Sequence, residues 1–123
     1  MNDAKKKIAV IEDDRNLLEL LKKILTNEGY EVLGAPTGSD LAKKVIDNKP
    51  DLIITDLGLP LLAGEKVIEV FQKKDIDYMV PVIVMSAKEE WEIKEAAEHI
   101  GAVKYLEKPV NPEELLELIR KYI

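Results

Sequence analysis

The sequence predicts an α/β fold: a doubly wound, five-stranded parallel sheet of order 2-1-3-4-5, with five helices covering its two faces. Two observations carry that expectation. Three apolar runs, "IAVI" (8–11), "LIIT" (52–55) and "VIVM" (82–85), are continuous rather than alternating, as in strands buried on both faces. Two weaker runs, "YEVLG" (30–34) and "VKYL" (103–106), bring the set to five, with helical periodicity between them. Strict βα alternation with right-handed crossovers allows little besides a parallel sheet between helical layers. At 123 residues the chain is expected to be one domain, 1–123, with a single core.

The elements follow in order. After the first strand, Asp14 is placed to cap a helix whose stripe is read as Leu17, Leu20, Leu21 and Ile24, stopped by Gly29. After the second strand, Thr37 and Asp40 resemble a capping box opening a helix through "LAKKVI". Beyond Gly64, Val67, Ile68 and Phe71 define a third helix. Ile93, Ala96, Ala97 and Ile100 define a fourth, closed by Gly101. Ser86 with Glu89 also fits a capping box for that fourth helix. Asn111 as cap, Pro112 at the first helical position and Glu114 three residues past the cap open the fifth. The lysine run at 5–7 reads as a solvated N-terminal tail.

Composition narrows the function. Apolar residues make up 46% and charged residues 34%, as in a globular domain rather than a disordered one. A net charge of −6 argues against this domain gripping nucleic acid through its phosphates. The absence of cysteine excludes disulfide frameworks and thiolate zinc sites. No apolar run approaches the ~20 residues needed to span a bilayer, and the N-terminus does not resemble a signal peptide. Cytoplasm is the expected compartment.

The informative feature is "IEDDR" (11–15), three acids directly after an apolar strand. In an open parallel sheet, functional groups gather beyond the carboxyl ends of the strands where strand order reverses. Glu12 and Asp13 follow strand one and Asp56 follows strand three, so the three carboxylates are expected at one crevice. Ser86, ending strand four, and Lys108, following strand five, reach the same rim. Three such carboxylates cannot all stay ionised without a counter-ion. Oxygen ligands with no His or Cys nearby select a hard cation, here Mg²⁺. Carboxylate-held Mg²⁺ in turn suits a phosphoryl group.

These positions carry a resemblance. "VIEDD", "IITDLGLP", "IVMSA" and "YLEKP" occur in order, each at the end of its own strand, with gaps of 43, 30 and 22 residues between Asp13, Asp56, Ser86 and Lys108. Over essentially its full length the chain resembles the receiver domain of bacterial two-component response regulators, which has a flavodoxin-like fold. The resemblance implies that Asp56 accepts a phosphoryl group from the phosphohistidine of a sensor kinase or phosphotransfer protein. Asp13 would bind Mg²⁺ directly, Glu12 largely through water, and Gly58 through its backbone carbonyl. Lys108 would pair first with the acceptor carboxylate and then with a phosphoryl oxygen, ahead of a Lys108–Pro109 bond that is usually cis. Ser86 would be the switch hydroxyl and Tyr105 the aromatic that turns inward after it.

Such a domain is a phosphoacceptor, not an enzyme, catalysing only its own phosphotransfer and autodephosphorylation in a phosphorelay. Its partners would be the kinase and an output domain or target. A phosphorylation-dependent homodimer would use the face of helix four, strand five and helix five, and the chain fits either a stand-alone receiver or part of a longer regulator. Glu12 departs from the more usual Asp, "LPLLAGE" lacks an acid that often follows Leu-Pro, and Gly58 and Lys88 hold positions that commonly tune hydrolysis.

Blander roles are set beside these. Alone, Lys108 would be a solvated lysine and Tyr105 a half-buried strand aromatic, and His99 is read as structural. Trp91 points nearly opposite the Ile93–Ile100 stripe, which suits a partner contact; the alternative is an indole lying over its own first turn. A nucleotide-binding enzyme or a flavodoxin would need a glycine-rich or hydroxyl-rich loop where "EDDRN" stands. A haloacid dehalogenase phosphatase would want Asp at Gly58. An inert interaction module is the remaining rival.

Overall fold

The computed structural model describes residues 5–36, 48–56, 80–87 and 104–123. Strands β1 (Lys7–Ile11), β2 (Glu31–Ala35), β3 (Leu52–Asp56), β4 (Val82–Ser86) and β5 (Lys104–Glu107) form one sheet of order β2-β1-β3-β4-β5. Every neighbouring pair is parallel. The expected topology is therefore present, with strand bounds within one residue of those read from the sequence. The described helices are α1 (Arg15–Asn27) and α2 (Pro112–Tyr122). The second, third and fourth expected helices lie outside the described residues, with Thr37, Asp40, Gly58, Lys88, Trp91 and His99.

Continuous apolar runs suit the three central strands because both their faces are covered. Ile8 to Ile11, Leu52 to Ile54 and Val82 to Met85 are all buried. Side chains alternate across the sheet, so Ile8, Val10, Leu52, Ile54, Ile83, Met85 and Leu106 share one face. That face packs against Leu18, Leu21 and Leu25 of α1 and Leu115, Leu116, Leu118 and Ile119 of α2. Each fully buried aliphatic side chain contributes roughly 1.5–3 kcal/mol.

Both described helices start and stop for local reasons. The Asp14 side chain accepts from the N–H groups of Asn16 and Leu17, capping α1. At its other end Gly29 adopts φ +93°, its N–H donating to the Thr26 carbonyl while that of Tyr30 donates to the Leu25 carbonyl. This is a Schellman closure, and glycine suits its left-handed residue. Asn111 caps α2 in the same way as Asp14, with Pro112 in the first turn. Glu113 and Glu114 in the first turn and Arg120 and Lys121 in the last follow the helix dipole. Arg120 also pairs with Glu28 at 3.0 Å, an exposed contact of little weight.

Two readings need correction. The buried stripe of α1 is Leu18, Leu21 and Leu25, flanked by half-buried Leu17 and Ile24, while Leu20 is 52% exposed. The lysine run is not wholly a tail, because Lys7 belongs to β1. Its N–H donates to Asp51 Oδ2 at 2.8 Å and its Nζ to the Asn48 carbonyl at 3.5 Å. Lys6 extends the pairing by accepting from the Glu31 N–H.

Candidate functional site

The ends of β1, β3 and β4 and the residue after β5 meet at one rim. Ile11 stands opposite Thr55 in the β1–β3 register, so one step further Glu12 faces Asp56. The Glu12 N–H donates to the Ala35 carbonyl at 3.0 Å, continuing the β1–β2 ladder and fixing the backbone from which its side chain leaves. Lys108 is held by its own N–H, which donates to the Ser86 carbonyl at 2.8 Å. The Lys108–Pro109 peptide is cis. Strand order thus brings together groups that are far apart in the chain.

The charged groups form a compact cluster. Lys108 Nζ donates to Glu12 Oε1 at 2.5 Å and to Asp56 Oδ2 at 2.9 Å. Glu12 Oε2 accepts from the Asp14 N–H at 3.2 Å. Glu12 is completely buried and Asp56 is 6% exposed, whereas Asp13 faces solvent. Burial pushes the Glu12 carboxyl up to about 7; Lys108 pulls it down, Asp56 pushes it up again and the Asp14 N–H pulls it down. For Lys108, burial opposes its charge, but Glu12 and Asp56 more than offset this and hold the ammonium above its ordinary range.

Glu12, Asp13 and Asp56 each offer an oxygen, the three lying within 4.8 Å of one another. Two of these acids are buried and share one lysine, leaving net negative charge at the mouth. An all-oxygen donor set of this kind fits a hard divalent cation. Gly58, expected as a backbone ligand, lies outside the described residues.

Ser86 and Tyr105 share the opposite face of the sheet. Ser86 is paired with Glu107 and Val84 with Tyr105, so the hydroxyl and the aromatic project to one side from adjacent strands, two residues apart. Ser86 is 1% exposed and Tyr105 half-buried. On the outer side of β5, a groove of about 370 Å³ runs between β5 and α2, lined by Tyr105, Leu118, Lys104, Lys121, Glu114 and Glu117. Trp91, the expected partner contact, is outside the described residues. Sequence reasoning paired Lys108 with Asp56 alone and missed its contact with Glu12. The signal available was the longer arm at position 12.

Comparison with known proteins agrees with this geometry. The chain matches the response regulator receiver domain over residues 8–120. It is 36% identical over 110 residues to the alkaline phosphatase synthesis transcriptional regulatory protein PhoP of Bacillus subtilis, covering 89% of this chain and 45% of that protein. It is 27% identical over 117 residues to sporulation initiation phosphotransferase F of the same organism, covering 95% and 93%. Thus it spans about half the length of the transcriptional regulator and most of the phosphotransferase. The Vibrio cholerae chemotaxis protein CheY4 superposes with a TM-score of 0.86 at 25% identity, covering 98% of this chain and 100% of that one.

Proposed function

This chain belongs to the response regulator receiver domain family, and from that premise we propose that Asp56 is the residue it phosphorylates. A receiver is a phosphoacceptor of two-component signalling, a signalling domain rather than an enzyme acting on external substrate. The donor would be the phosphohistidine of a sensor kinase or phosphotransfer protein. An Asp56 carboxylate oxygen attacks phosphorus, the bond from phosphorus to the histidine nitrogen breaks, and its electron pair leaves on the imidazole. The chain thereby catalyses its own modification and, by hydrolysis of the acyl phosphate, its own reset.

The observation that carries this reading is the Lys108 ammonium bridging Glu12 and Asp56 at the end of β3. A fixed cation beside the attacking carboxylate is placed to take a phosphoryl oxygen as charge shifts onto it. Asp13, Asp56 and the Gly58 carbonyl would hold Mg²⁺, with Glu12 acting largely through water. When bound, Mg²⁺ would offset the carboxylates and the transferring phosphoryl oxygens. Ser86 then bonds the new phosphoryl group, and Tyr105, on the same sheet face, fills the space the hydroxyl leaves. Residues 1–123 would form one receiver domain working in the cytoplasm. Its output domain or target would read the β5–α2 side together with Trp91, and a phosphorylation-dependent homodimer would use the same side.

Incubation with Mg²⁺ and acetyl phosphate tests the proposal. Mass spectrometry should show one added phosphoryl group, absent in Asp56→Ala. An unchanged wild-type mass would leave an inert interaction module as the better account.

A further inference from the structure

Glu107 ends β5 directly opposite Ser86, the last residue of β4, and projects from the sheet face that Ser86 and Tyr105 share. The Lys108 N–H, bonded to the Ser86 carbonyl at 2.8 Å, closes the ladder just beyond this pair and fixes it at the rim. Neighbouring strands lie about 4.8 Å apart, so two spacings, roughly 10 Å, separate the Glu107 backbone from that of Asp56 at the end of β3. The charge of Glu107 is uncompensated. Its side chain is exposed, and its carboxylate has no hydrogen-bond or ion-pair partner among the described residues. The adjacent cation, Lys108, leaves the opposite face of the strand and gives its ammonium to Glu12 and Asp56.

On the phosphoacceptor reading, from which this inference proceeds, every donor brings its phosphoryl oxygens to the rim that holds this carboxylate. Donors differ in the charge they carry there. Acetyl phosphate arrives as a dianion: an Asp56 oxygen bonds to phosphorus, the phosphorus–oxygen bond to acetate breaks, and its electron pair leaves on acetate. A protonated phosphohistidine, or phosphoramidate in its place, carries a positive nitrogen beside the phosphoryl group. An Asp56 oxygen again bonds to phosphorus, but the phosphorus–nitrogen bond breaks and its pair leaves on neutral imidazole or ammonia. A fixed negative charge at the rim opposes the dianion more than the donor with the positive nitrogen. We propose that Glu107 is a specificity residue of the transfer, tilting the site toward phosphorus–nitrogen donors and against acyl phosphates.

The ratio of two rates tests it. Phosphorylation by acetyl phosphate and by phosphoramidate is followed by mass at saturating Mg²⁺ in wild type and in Glu107 variants. In dilute buffer, Glu107→Gln should raise the acetyl phosphate rate relative to the phosphoramidate rate about threefold, the effect of one unit of donor charge meeting one fixed charge at roughly 10 Å. Glu107→Lys should raise the ratio further, and Glu107→Asp should keep the wild-type value. In about 1 M KCl, where the screening length falls to about 3 Å, the variants should converge on wild type. Glu117→Gln, in the groove on the outer side of β5, should leave the ratio unchanged. A wild-type ratio in both Glu107→Gln and Glu107→Lys, or a change that survives the salt, overturns the inference while the phosphoacceptor reading stands. If neither donor adds mass to the wild-type chain, the phosphoacceptor reading itself fails and this inference falls with it.

Discussion

Lys108 Nζ lies 2.5 Å from Oε1 of Glu12, a residue 96 positions earlier in the chain. The pair joins the segment after β5 to the segment after β1, across the width of β3 and β4. Its consequence is electrostatic. A fully buried carboxyl whose proton affinity is raised to about 7 sits between an ammonium and a second carboxylate.

That placement gives the metal-free protein a pH dependence of definite sign. Folded Glu12 keeps its proton up to about pH 7, whereas the unfolded chain releases it near the ordinary 4.5. Within that window the folded state binds more protons, so this group's contribution to stability is complete below 4.5 and is lost as pH rises through 7. Urea unfolding in EDTA should therefore show wild type losing ground to Glu12→Gln across the window. A difference that stays flat or grows with pH would contradict the assignment.

Mg²⁺ should act in the opposite direction at neutral pH. A ligand at about a hundred times its Kd stabilises the folded state by about 2.7 kcal/mol. Thermal unfolding should show that gain for wild type over EDTA, and Asp13→Asn should lose most of it because Asp13 is the exposed member of the cluster. The same gain in Asp13→Asn would place the cation elsewhere.

The α1 stripe can be tested with two neighbouring leucines. Leu21 is 2% exposed within the core, and its replacement by Ala should cost about 2–5 kcal/mol in urea unfolding. Leu20, on the outer face, should tolerate the same change within about 0.5 kcal/mol. Equal losses would restore the stripe first read from the sequence.

Two glycines should answer Ala with opposite signs. Gly29 closes α1 at φ +93°, where a Cβ is strained, so Gly29→Ala should destabilise by about 1 kcal/mol. Gly34 lies in β2, and a Cβ there would meet the flexible Lys22 Cδ at 3.4 Å and Leu18 Cδ1 at 3.5 Å, ordinary contact distances. Gly34→Ala should hold or gain, up to about 1 kcal/mol, by restricting the unfolded chain. Denaturant midpoints of the two variants decide it.

What was legible in the sequence follows from these cases. Strands such as Leu52–Asp56 are covered on both faces, so their composition announces them without tertiary knowledge. The caps at Asp14 and Asn111 were equally legible, because a cap acts within three residues. Helix rotation was not. "NLLELLKKIL" places leucines at four of five successive positions, and only packing against the sheet decides that Leu18 turns inward and Leu20 outward. Lys7 was missed because its partners, Asp51 and Asn48, lie more than forty residues away. Glu12, Asp13, Asp56 and Lys108 could be grouped from strand order alone, but that the lysine bonds Glu12 as well as Asp56 depends on side-chain reach, which strand order does not give.

The switch proposal yields the last prediction. Ser86 ends β4, and Tyr105 projects from the same face of β5 two residues behind Ser86's partner, Glu107. Ser86→Ala deletes a hydroxyl but leaves Asp56, Lys108 and the three carboxylates in place. Losing one hydrogen bond to a charged phosphoryl oxygen is worth about 1.5–3 kcal/mol, so phosphorylation by acetyl phosphate should slow by about ten- to a hundredfold without being abolished. What should disappear is the response of Tyr105, whose ring resonances should shift on phosphorylation in wild type and in Ser86→Thr but not in Ser86→Ala. A shift that survives in Ser86→Ala would mean that the aromatic senses the phosphoryl group by a route other than the space vacated by Ser86.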